Sequence, residues 1–182
     1  MEKMIAYYTA PALAGIKPSN IFACRKDNVF DIHNEIKRLN VLMNSKDIYF
    51  KAIKECEKRV LVMVYRKKVL KKYLERPEIK RLLVSYGYPN FEDVDVYLQV
   101  LCERLKESEF PHEIGAFLGY PIHDIYGFIH HKNEGYLLCG EWKVYKNPEI
   151  AQKLFKRFSD CRKAVVKRML LGETLAEVFC VA

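Results

Sequence analysis

The residues best equipped for chemistry lie between positions 110 and 145. His112 and Glu113 follow Pro111; His123 and Asp124 follow Pro121. Proline is favoured in the first turn of a helix, and a helix start carries partial positive charge that suits a carboxylate or a neutral imidazole. The spacing predicts two short helices, each started by proline and stopped by Gly119 or Gly127. Lying side by side, they would bring His112, Glu113 and His123 together. The next segment, 136–145, reads as one strand with Leu138, Trp142 and Val144 on a core face and Cys139, Glu141, Lys143 and Tyr145 on a polar one.

Several chemistries fit. His112, Glu113, His123 and Asp124 offer nitrogen and oxygen donors suited to iron, zinc or manganese, although no second histidine stands four residues after His112 as in a zinc-protease helix. Cys139 could act as a thiolate with His112 or His123 as its base, and Glu113 could orient His112. Arg66 and Lys143 would hold an anionic part of a small molecule, with Tyr120 and Tyr145 as further ligand contacts. Equally, the carboxylates could only stabilise helix starts and the imidazoles only satisfy local backbone groups. No cofactor or substrate is specified.

These residues need a scaffold. The chain has 182 residues, half hydrophobic and 30% charged, which is a globular composition with enough length for one self-sufficient core. Residues 20–24, 48–53 and 60–65 read as strands, the last apolar on both faces and therefore central. Residues 55–59 are short enough for a hairpin between the second and third. Asp27 or Asn28 can cap a helix with the stripe Val29, Ile32, Ile36, Leu39 and Met43. Further helical patterns are Val69 to Leu74, a segment opened by Pro77 and ended by Gly87, and a third capped by Asn90 and assisted by Glu92 and Asp93, with stripe Phe91, Val94, Leu98, Leu101 and Leu105. The last long helix opens at Asn147-Pro148-Glu149, carries Ala151, Leu154, Phe155, Phe158, Val165 and Met169, and ends at Gly172. The expected plan is α+β in a single domain over 1–182: a small, largely antiparallel sheet of about four strands packed with several helices.

The six cysteines form no CxxC pair and have no zinc-finger partner histidines, so free thiols in a reducing cytoplasm are expected. Residues 4–16 make a poor signal segment, and no apolar run is long enough to cross a bilayer. The excess of 31 Lys+Arg over 23 Asp+Glu, net +8, favours anionic partners. Residues 66–72 and the basic side chains of the last helix could track phosphates or could simply be solvated helix faces. A binding module for an acidic protein or nucleic acid is thus the alternative to a small-molecule, cofactor or metal site. Oligomeric state is not legible.

The run Phe110-Pro111-His112-Glu113-Ile114-Gly115-Ala116-Phe117-Leu118-Gly119-Tyr120-Pro121, then Gly127-Phe128-Ile129 and Gly140-Glu141-Trp142-Lys143-Val144-Tyr145, resembles the bacterial domain-of-unknown-function family numbered 3793. Ala14-Gly15-Ile16-Lys17-Pro18 and Val64-Tyr65-Arg66 extend the resemblance over nearly the whole chain. It implies one domain and carries over no activity, cofactor or site residue.

Overall fold

Six consecutive apolar residues, 60–65, require cover on both faces of the strand they form. In the computed structural model, which describes residues 1–28, 31–90, 93–107 and 110–180, they lie in β3 (Arg59–Arg66). This strand is flanked on both sides, antiparallel, by β1 (Ser19–Arg25) and β2 (Ile48–Glu55). Val60, Val62 and Val64 pack on one side with Phe22, Cys24, Ile48 and Phe50. Met63 and Tyr65 pack on the other with Ile21, Tyr49 and Ile53. The sheet is therefore the middle layer of three.

The first helical layer contains α1 (Glu2–Leu13) and α2 (Ile32–Met43), joined by the C-terminal half of α8 (Pro148–Leu170) and by α9 (Leu175–Cys180). The second contains α3 (Lys67–Leu74), α4 (Pro77–Ser85), α5 (Val94–Arg104), the single turn α6 (Ile114–Phe117) and α7 (Ile122–His131). A separate two-stranded hairpin, β4 (Leu138–Cys139) with β5 (Lys143–Val144), leans on the N-terminal half of α8. There Trp142, Val144, Ala151 and Phe158 form a third small core.

The expected mixture of helix and antiparallel sheet is present, but the strand count among the described residues differs: three strands in the main sheet plus two in the hairpin. The expected single strand over 136–145 is that hairpin, which pairs Leu138 with Val144 and Cys139 with Lys143. It reverses through Gly140, Glu141 and Trp142. Gly140 permits this because a Cβ there would overlap the Phe155 ring of α8. Gly127 does not stop its helix. It lies within α7 because the Tyr145 ring rests where its Cβ would be. Two caps also move. Asp31 accepts from the Asn34 N–H (2.9 Å) at the start of α2, and Asp93 accepts from the Asp95 N–H (2.9 Å) at the start of α5. Val29, Phe91 and Glu92 lie outside the described residues.

Residues 4–13 belong to α1, with Ile5, Ala6, Ala10 and Leu13 buried against β1, β3 and α8. Pro11 is tolerated in its last turn. Its carbonyl accepts the N–H groups of Ile16 (3.0 Å) and Lys17 (3.1 Å), and Gly15 adopts φ +72° to bring the chain back toward β1. Among the described residues no helix is long and apolar enough to cross a membrane.

Candidate functional site

A recess of about 420 Å3 opens where α6, α7 and the hairpin meet. Its wall is apolar: Phe110, Ile114, Leu118, Ile125, Phe128 and Trp142, with Gly115 on the floor of α6. A side chain at Gly115 would crowd Ile125 and Tyr120, both 3.1 Å from its Cβ position. His112, Cys139, Lys143, Tyr120 and Asp124 also line the recess. Such a shape, mostly apolar with a few convergent polar groups, is the usual form of a small-molecule site.

Hairpin register explains two of these groups. Cys139 and Lys143 are direct cross-strand partners and so project from the same face. Leu138 and Val144 project from the other face, into the third core. Lys143 Nζ donates to Asn133 Oδ1 at 2.5 Å and lies 4.9 Å from the Tyr136 ring centre. Cys139 is exposed, as is Cys56, whereas burial pushes the thiols of Cys24, Cys102, Cys161 and Cys180 up. His112 is exposed and stacks edge-on against Phe128, centre to centre 5.2 Å.

Asp124 is the hub of the wall. Its Oδ2 accepts from Trp142 Nε1 at 2.8 Å, and its Oδ1 accepts from the backbone N–H groups of Tyr145 (2.7 Å) and Lys146 (3.2 Å). The carboxylate thus fastens α7 to the hairpin and has little lone-pair capacity left for a metal. His123 Nε2 stands 3.6 Å from Asp124 Oδ1 but borders a different, smaller recess of about 50 Å3, behind Asp124 and Trp142.

Glu113 is fully buried and does not line the recess. Its Oε1 accepts from Arg104 Nε and from Tyr88 Oη (3.1 Å), while its Oε2 has no partner among the described residues. Burial, then the Glu113 carboxylate, push the Tyr88 phenol far above its ordinary range. Arg66 is also elsewhere. Its Nε donates to Leu13 O and its Nη1 to Lys46 O, both at 2.8 Å, so it ties the end of α1 and the turn after α2 to the end of β3. Tyr145 donates its hydroxyl to Lys132 O (2.7 Å) and rests on Gly127 rather than in the recess. Among the described residues no group of three His, Cys, Asp or Glu side chains is placed to hold a metal ion.

The protein-family model described as "Protein of unknown function (DUF3793)" matches residues 5–179. The chain belongs to this family. No curated protein and no solved structure matches it.

The basic runs of the DUF3793 chain are partly consumed by ion pairs. Lys67 meets Asp95 (2.5 Å) and Asp93 (3.8 Å), Lys71 meets Glu75 (3.6 Å), Lys156 meets Asp160 (2.6 Å), and Arg168 pairs with Glu173. Arg162 grips Glu141 with two bonds of 2.7 Å. Such charges are less available to phosphates than the sequence count suggests.

The residues missed by sequence reasoning are the apolar lining, chiefly Phe128, Ile125 and Trp142, and Lys17, which is buried beside Tyr120. Trp142 reads as core in the sequence, and it is also wall. The turn signal Gly15-Ile16-Lys17-Pro18 was visible, but nothing in it announced a buried ammonium.

Proposed function

We propose that this protein binds a small, largely apolar molecule bearing an anionic group, in the recess between α6, α7 and the hairpin. The observation that carries the reading is the meeting of an apolar wall with His112, Cys139 and Lys143 in one recess of about 420 Å3. Lys143 and His112 would hold the anionic end, Tyr120 and Trp142 would pack on the flat body, and Cys139 would be the nearest thiol. A thiol and an imidazole lining one recess make nucleophilic chemistry of the Cys–His type the reaction class for any catalysis there. The metal version of the site is set aside, because Glu113 does not line the recess and Asp124 is committed to Trp142 and the backbone of residues 145–146. A nucleic-acid surface is not proposed either, since part of the basic charge is spent on ion pairs.

Anilinonaphthalene sulfonate, an apolar fluorophore with one negative charge, is a suitable probe. The chain has one tryptophan, so energy transfer from Trp142 reports dye held on the protein, and changes at Lys143 and Cys139 report whether it sits at this wall. Binding should quench Trp142 and brighten the dye. Lys143→Glu should weaken it about tenfold, the scale of one charge-assisted contact, and maleimide modification of Cys139 in a Cys56→Ser background should block it. Dye binding indifferent to both changes would end the proposal.

A further inference from the structure

A second cavity, of about 220 Å3, neighbours the first recess, and Tyr120 and Leu118 line both spaces. It is bordered by Lys17, Tyr8 and Asn20 from the N-terminal segment, by Glu141 from the hairpin turn and by Arg162 from α8. The Lys17 side chain is only 4% exposed. Its Nζ lies 5.4 Å from the Tyr120 ring centre and 5.7 Å from that of Phe158. Its nearest carboxylate oxygen, Glu141 Oε2, is 4.0 Å away, beyond hydrogen-bond range. Glu141 is already held by both terminal nitrogens of Arg162. An ammonium can donate three hydrogen bonds, and Lys17 Nζ makes none to the described residues.

A purely structural lysine would be expected to spend those donors, as Lys67 and Lys143 do. We propose that Lys17 is the reactive amine of a second site, which takes a small carbonyl compound bearing a carboxylate and holds it as an imine. The amine lone pair attacks the carbonyl carbon, the resulting carbinolamine loses water, and a C=N bond replaces C=O. Protonation of the imine nitrogen leaves that cation and Arg162 facing the single negative charge of Glu141, a surplus suited to the carboxylate of the bound molecule. The electrostatics favour the free amine. Burial lowers the Lys17 pKa to about 8, against an opposing pull from Glu141 and with a smaller push from Arg162. The other titratable groups on the cavity are the phenols of Tyr8 and Tyr120, the latter pushed up to about 12 by burial, so it stays neutral where Lys17 titrates.

The test uses the unmodified protein, limiting glyoxylate as the probe and cyanoborohydride, whose hydride reduces the imine to a stable secondary amine. Peptide mass mapping then reads the modified lysine. Lys17 should be labelled at least about tenfold faster than exposed lysines such as Lys153 near neutral pH, because a larger share of its amine is unprotonated. Its rate should level off above about pH 8. Labelling of Lys17 no faster than that of Lys153, whether through lack of access or lack of reactivity, overturns the proposal. The dye experiment at the neighbouring recess is unaffected by either result.

Discussion

Asp124 on α7 accepts the indole N–H of Trp142 at 2.8 Å while its other oxygen caps the N–H groups of residues 145 and 146. One buried carboxylate therefore fixes the hairpin, and with it Cys139 and Lys143, against α7. Asp124→Ala leaves the indole donor and the Tyr145 amide without their partner. Losing charge-assisted bonds and stranding buried donors costs about 2–4 kcal/mol. Urea unfolding should show that loss, and Trp142 emission should shift to longer wavelength as the hairpin loosens. A stable variant with unchanged emission would mean the hairpin is held by its apolar core alone.

Gly127→Ala sets two effects against each other. Alanine in a helix interior gains about 1 kcal/mol over glycine. Here the new Cβ would overlap the Tyr145 ring, and overpacking of that kind costs about 1–3 kcal/mol. Overlap should win. The expected result is net destabilisation, relieved only in part in the double variant with Tyr145→Ala, which removes the ring but leaves a Cβ 2.7 Å from the new methyl. Thermal denaturation of the single and double variants decides it.

Arg66 serves the scaffold. A lysine at this position can reach one of the two carbonyls but not both with the guanidinium's fixed fork. Arg66→Lys should lower stability by about 1–2 kcal/mol and leave anilinonaphthalene sulfonate affinity unchanged. Weaker dye binding at intact stability would instead return Arg66 to the ligand site.

Lys17 gives a pH signature. Its folded pKa lies below its unfolded one, 10.5 falling to about 8, so between those values the unfolded chain binds more protons and stability rises with pH. The burden is complete below about pH 8 and corresponds to about 3 kcal/mol. Lys17→Met should therefore stabilise the protein by about that amount at pH 7, with the advantage shrinking to about 1 kcal/mol by pH 10. Comparing the two proteins at each pH cancels the phenols, which are raised in both: burial pushes Tyr73 and Tyr120 up to about 12. A difference independent of pH would show that Lys17 is not titrating in this range.

Local pattern was enough for much of this protein. The apolar run at residues 60–65 requires a strand covered on both faces, and stripes such as Ile32, Leu39 and Met43 require helices with one buried side. The proline and glycine punctuation around residues 111–121 marked the segment that lines the recess, and His112, Cys139, Lys143, Tyr120 and Asp124 do line it together. Tertiary packing decided what those side chains are free to do. Glu113 and His112 are neighbours in sequence, but one turn of chain sends the carboxylate inward to Arg104 and leaves the imidazole exposed. Alternation along residues 136–145 predicts Glu141 and Lys143 on one face of a strand. The chain reverses between Gly140 and Trp142, so Glu141 meets Arg162 while Lys143 faces the recess. The burial of Lys17 depends on where Tyr120 and Phe158 arrive, each more than a hundred residues along the chain. Periodicity records which side of an element is apolar; it carries no record of which distant group meets a polar one, and that meeting sets every charge in this site.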